Sequence, residues 1–192
     1  MLLLIAGLIV FLGVHSVRIV ADPLRARFIA ERGELLWKTV YALLSILGFA
    51  MIVYGYGAAR AAPAVLWVPP AWTRHLAALL TLPAIILVVA AYVPGNALQA
   101  RLKHPMLIGT QIWAAGHLLA NGNLADLLLF GGFLLWAALC HRAARQRDFD
   151  SGRIYVSKGA VRTTIAVVAG TGVWLVFAFY LHAKWIGVRP FG

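Results

Sequence analysis

Six stretches of this chain are each long and apolar enough to need a solvent other than water. They run roughly over Leu2–Val20, Thr39–Ala58, Leu76–Val93, Pro105–Asn121, Leu124–Cys140 and Thr163–Gly187. A helix needs ~20 residues to cross ~30 Å of hydrocarbon, and the fourth and fifth stretches fall slightly short of it. In lipid every backbone N–H and C=O must find a partner within the chain, which leaves helices or closed barrels. The runs are continuous and show no period-two alternation, so a barrel is excluded. The composition agrees: 62% of the 192 residues are hydrophobic and 12% charged, at a mean hydropathy of +0.86. A soluble domain of this size would lack the polar surface to cover itself. The chain therefore reads as an all-α integral membrane protein, a bundle of about six transmembrane helices forming one domain over residues 1–192.

Breakers fall between the spans. "VPP" at 68–70 and "VPG" at 93–95 flank the third, and "NGN" at 121–123 predicts a tight turn between the fourth and fifth. Pro83 predicts a kink inside the third. Asn123 followed by Asp126 predicts a cap for the fifth helix. The formal net charge of +11 does not indicate a nucleic-acid partner, because the cations sit in loops and at helix ends. Loops one, three and five hold Arg18, Arg25, Arg27, Arg32, Lys38, Arg101, Lys103, Arg142, Arg145, Arg147, Arg153, Lys158 and Arg162, thirteen of the seventeen. Arg60, Arg74, Lys184 and Arg189 belong to the other side. The basic side is expected to face the cytoplasm and both termini the periplasm, with Trp67, Trp72, Tyr180 and Trp185 as an outer aromatic belt. The N-terminal run lacks a basic leader and reads as a retained first helix. Cys140 is the single cysteine, which excludes a disulfide and a Cys-rich metal cluster, and "CHR" is not a c-type haem attachment motif.

Ionisable groups within a bilayer are costly and usually face the bundle interior. The first span carries His15, then Arg18 one turn further on, with Asp22 at i+4 as a natural partner. On the fourth span Thr110, Trp113, Ala114, His117 and Asn121 share a face, beside a small-residue stripe of Gly109, Gly116 and Ala120. His75, His141 and His182 lie at span ends and read as solvated interface residues, and His104 reads as a helix-start residue at headgroup level. Two readings of His15 and His117 compete. Each is a neutral imidazole hydrogen-bonded to a hydroxyl or carbonyl, or each is a ligand for a metal centre. Zinc asks for three or four protein ligands, and no carboxylate or thiol is placed to complete the set. Haem b asks for one or two axial imidazoles and an apolar slot, with Arg18 available to a propionate.

The segments "FLGVHSVR", "WKTVYALLSILGFAMIVYGYGAAR", "LWVPPAW", "LKHPMLIG" and "WAAGHLLANG" together resemble the NnrU proteins of bacterial inner membranes, most strongly over residues 1–142. That resemblance implies a link to nitrite and nitric oxide reduction in denitrification. NnrU proteins are similar in turn to the plant zeta-carotene isomerase, a membrane haem b enzyme. By this resemblance His15 and His117 match the two haem ligands, and the chemistry implied is isomerase-like or redox. The isomerase carries a cysteine three residues before its second histidine as an alternative ligand. Ala114 stands there in this chain, so a ligand swap is not carried over. The candidate cofactor-binding set is thus His15, His117, Arg18 and Asn121, with His15 and His117 as metal ligands and His104 as runner-up. Along straight helices His15 lies ~8 Å, and His117 ~18 Å, from the basic end of its span, and His104 is closer to the level of His15.

Two rival functions stand beside this one. "RLKHPMLIGTQIWAAG" is similar to the "RHPxYxG" stretch of isoprenylcysteine methyltransferase-like membrane enzymes, which bind S-adenosylmethionine. Their paired-glutamate segment has no counterpart here. The other rival is a non-enzymatic accessory or assembly factor, in which the histidines only pack. The residues name no substrate for an apolar or small-molecule ligand, beyond contact with the lipid bilayer.

Overall fold

The computed structural model describes residues 1–191. Helix α1 spans Leu2–Val20, α2 Asp22–Arg32, α3 Glu34–Ala61, α4 Trp72–Ala90 and α5 Ala97–Leu102. Helix α6 spans Pro105–Ala120, α7 Leu124–Asp150 and α8 Ala160–Val176, which runs through a π-helical turn at Phe177–Leu181 into α9, His182–Ile186. The only β feature among the described residues is one isolated bridge, Val65 to Asn123. Five segments are long and apolar enough to cross a membrane: α1, α3, α4, α7 and Ala160–Ile186. Helix α6, expected as the fourth span, has 16 residues, about 24 Å at ~1.5 Å per residue, and is shorter than these five. The protein is therefore an all-α, multi-pass membrane protein.

The element bounds differ from the hydropathy pattern in an informative way. Helix α7 continues ten residues beyond Cys140 through "HRAARQRDFD", and the short helices α2 and α5 occupy stretches that hydropathy leaves blank. Arg, Ala and Gln are good helix formers, so polarity marks where lipid ends and not where the helix ends. The expected Arg18–Asp22 pair is not formed. The first helix stops at Val20, and Ala21 (φ −145°, ψ 33°) separates the two residues. Asp22 opens α2, where Arg25 Nη1 reaches its Oδ1 at 3.2 Å.

By backbone contacts the chain groups into two compact units. Unit one comprises Met1–Leu66 and Asn123–Gly132. Within it α1 packs along α3, and glycines on both helices let the backbones meet. A Cβ on Gly7 would lie 2.7 Å from Ile52 N, one on Gly48 2.8 Å from Phe11 N, and one on Gly55 would collide with the backbone of Leu4. The expected cap on α7 is present. Asp126 Oδ2 accepts from Asn123 N at 3.0 Å and from Asn123 Nδ2 at 2.9 Å, and Oδ1 accepts from Tyr56 Oη at 2.6 Å. Asp126 is 1% exposed, and a buried carboxylate persists only when its oxygens are satisfied in this way.

Unit two comprises Trp67–Gly122 and Phe133–Gly192. Helix α4 is its centre, packed against both α6 and α8. The expected small-residue stripe on α6 meets α4: a Cβ on Gly109 would sit 2.5 Å from Ala84 O, and one on Gly116 would lie 3.7 Å from Ala77 Cα. Gly170 of α8 seats against Ile86 in the same manner. Asn96 is fully buried between α4 and α5; it donates to Ala90 O (2.7 Å) and Val93 O (2.5 Å) and caps α5 by accepting from Gln99 N (2.8 Å). The aromatic side chains at Trp72, Tyr180 and Trp185 are exposed, as residues of a membrane-interface belt need to be.

Candidate functional site

His15 stands on α1 in unit one, partly buried. Its Nδ1 lies 2.6 Å from the carbonyl of Phe11, one turn earlier, and its ring stacks on Phe11 (centroids 4.2 Å apart) and tilts against Tyr41 of α3 (5.1 Å). A carbonyl accepts only, so Nδ1 is a protonated nitrogen and donates to it. Phe11 is itself held by Gly48, where the backbones of α1 and α3 touch. The glycine on α3 thereby sets the position of the carbonyl that orients His15.

His117 repeats the arrangement on α6 in unit two. Its Nδ1 lies 2.8 Å from Trp113 O, again one turn back, and its ring tilts against Trp113 at 5.1 Å. Trp113 in turn packs edge-on against Phe133 of α7 at 5.7 Å. Asn121, the residue that ends α6, donates from Nδ2 to His117 O at 2.8 Å. It therefore satisfies an orphan carbonyl of the last turn at the residue that bears the imidazole. Ala114, in the register where the isomerase carries its cysteine, is fully buried. Arg18 lies in the last turn of α1 with an exposed side chain. His15 belongs to unit one and His117 to unit two.

His104 is a helix-start residue, as expected, but it has a partner that the sequence did not suggest. It occupies the N-cap position of α6, and its Nε2 lies 2.8 Å from Asp148 Oδ2, with the two side chains 17% and 6% exposed. Tyr155 Oη donates to Asp148 Oδ1 at 3.2 Å. The His141 ring lies 6.1 Å from that of His104, and its Nδ1 is 3.4 Å from Gln111 Nε2. His141 is thus partly buried within unit two and not a solvated span end. Burial, the hydrogen bond to Asp148 and that carboxylate's repulsion of a phenolate together raise the Tyr155 pKa above its ordinary value, against the opposing Arg153 guanidinium. Sequence reasoning missed Asp148 because it ended the helix at Cys140. Had α7 been extended, the seven-residue spacing of His141 and Asp148, matched by His104 and Gln111, would have placed both pairs on facing stripes.

The donor chemistry discriminates between metal centres. Among the described residues no three His, Cys, Asp or Glu side chains converge as a chelate. A haem supplies four nitrogens of its own and asks the protein for an imidazole Nε2 fixed by a bond at Nδ1, in apolar surroundings. The Nδ1 contacts of His15 and His117 match the part of that requirement that fixes the ring. His104 makes its contact through Nε2 instead, to Asp148 Oδ2. No curated protein and no solved structure matches the chain. A family model described as NnrU protein matches residues 3–190, so the likeness carried by the quoted segments extends past residue 142 to nearly the end, and the chain belongs to the NnrU family.

Proposed function

We propose that this NnrU-family protein is a haem b-binding protein of the bacterial inner membrane, with His15 and His117 as the axial-ligand candidates and a role in nitrite or nitric oxide metabolism. The observation that carries the reading is the matched pair of Nδ1 contacts, His15 to Phe11 O at 2.6 Å and His117 to Trp113 O at 2.8 Å. A ligating histidine almost always gives its second ring N–H to such an acceptor, and loss of that partner typically costs ~10–100-fold in metal affinity. When bound, the haem would supply an iron able to take up or release a single electron. The chain's own residues orient the imidazoles and offer Arg18 to a propionate, while Asn121 fixes the α6 turn under His117. Thirteen of seventeen cations in alternate loops support an orientation with both termini periplasmic.

The test is spectroscopic. Protein purified in mild detergent is expected to show a Soret band and a b-type pyridine haemochrome. His15→Ala and His117→Ala are expected to lose haem per folded protein, and His104→Ala to retain it. Full retention in all three variants overturns the ligand assignment. A stable, colourless protein overturns the cofactor reading and favours an accessory factor, for which the stacking of His15 on Phe11 and the tilted contact of His117 with Trp113 give each ring a seat by packing.

A further inference from the structure

The polar residues where α6, α7 and the segment after α7 meet are arranged in rungs. On α6, His104 and Gln111 are seven residues apart and share a face; on the facing stripe of α7, Asp148 and His141 are likewise seven apart. The helices run so that His104 meets Asp148 at 2.8 Å and Gln111 meets His141 at 3.4 Å. Tyr155, on the segment that turns back after α7, closes the outer end with its hydroxyl on Asp148 Oδ1 and its ring 5.9 Å from that of His104. Seven residues further along α6 and seven back along α7 stand Leu118 and Leu134, so the polar series has two rungs and then stops.

We propose that Tyr155, Asp148, His104 and His141 form a proton-relay site, which takes protons from the aqueous face at the basic end of unit two and holds them at the level of Gln111 between the helices. Chains of Asp and His within membrane helices are the usual material of such relays. The parts are assigned by geometry. Asp148, 6% exposed, anchors His104 through Nε2, so that Nδ1 is the nitrogen that gains or loses a proton. His104, 17% exposed, is the entry group. His141 is the inner acceptor, with ring centroids 6.1 Å apart, a separation that one water spans. Gln111 orients His141 and exchanges no proton. Uptake breaks an O–H bond of hydronium and forms an N–H bond at His104; transfer inward breaks that N–H bond and forms one at His141 Nδ1, where the long 3.4 Å contact from Gln111 Nε2 gives way. No electrons move. The charged groups placed against these residues are Arg145, which acts on His141, and Arg153, 4.9 Å over the Tyr155 ring; Arg101 and Lys103 precede α6, Arg142 and Arg147 stand on α7, and Lys158 and Arg162 follow it in the chain. For His141, burial, then the neighbouring His104 and the Arg145 guanidinium, hold the pKa below its ordinary value.

The site stands independently of any haem. The test follows the ring nitrogens of His104 and His141 by NMR in the full-length, histidine-labelled protein in nanodiscs across neutral pH. The expected result is coupled titration, with both histidines reporting the same two macroscopic steps. His104→Gln is expected to reduce His141 to one step, and Asp148→Asn to abolish the shared behaviour. Single-site curves for both histidines in the unsubstituted protein overturn the proposal, as does a His141 curve indifferent to His104→Gln. Should Asp148→Asn fail to fold, the unsubstituted protein and the milder Tyr155→Phe decide the matter. A colourless preparation with coupled histidines refutes the haem reading alone, and a red one with uncoupled histidines refutes the relay alone.

Discussion

Gly48→Ala is expected to loosen unit one and the seat of His15 together. An added Cβ would meet Phe11 N at 2.8 Å and both Phe11 Cα and Phe11 Cβ at 3.0 Å, where ordinary contact begins at 3.4 Å. The obstruction is mostly backbone, so it cannot be relieved by a rotamer change. The helices α1 and α3 would have to part locally by about 0.6 Å, and overpacking of this kind costs ~1–3 kcal/mol. In lipid no hydrophobic force compensates, because helix association depends on close packing itself. The same shift moves the Phe11 carbonyl that lies 2.6 Å from His15 Nδ1, so haem loading should fall along with stability. Gly13→Ala on the same helix is the control: its Cβ meets nothing within 4 Å, and Ala for Gly in a helix is favourable by ~0.5–1 kcal/mol. The assay is unfolding in mixed detergent–SDS micelles, followed by tryptophan fluorescence and circular dichroism. Equal midpoints for Gly48→Ala and Gly13→Ala would refute the close-approach argument.

Tyr56→Phe removes the 2.6 Å hydrogen bond to the buried Asp126 and is expected to lower stability by ~1.5–3 kcal/mol in the same assay, since the acceptor is a carboxylate. Because the folded protein raises the Tyr155 pKa above its ordinary value of 10.0, the folded chain binds that proton more tightly than the unfolded one. The contribution is complete below that value and is lost as pH rises through it, so stability measured toward alkaline pH should fall less steeply in Tyr155→Phe than in the unsubstituted protein. A reporter fused after Gly192 should read as periplasmic and one inserted at Ser151 as cytoplasmic; a cytoplasmic C-terminus would show an odd number of crossings.

The solvent and the element type were legible in the sequence, because an apolar run of membrane length has few physical solutions. The Asn123–Asp126 cap, the Gly109–Gly116 stripe and the polarity of His15 and His117 were legible too, since each depends on residues within a turn or two of one another. Local spacing even suggests the Nδ1 contacts, as residues four apart on a helix are neighbours. What sequence spacing could not give was the partner of a long-range contact. Asp126 reaches Tyr56 across 70 positions, and Asp148 reaches His104 across 44. Hydropathy also misled at Cys140, where the apolar run ends but α7 does not, and only the continued helix brings Asp148 and Tyr155 to His104. Which glycines are seats and which are open, Gly48 against Gly13, was likewise decided by tertiary structure. A glycine's worth depends on the backbone that faces it, and that backbone comes from another helix.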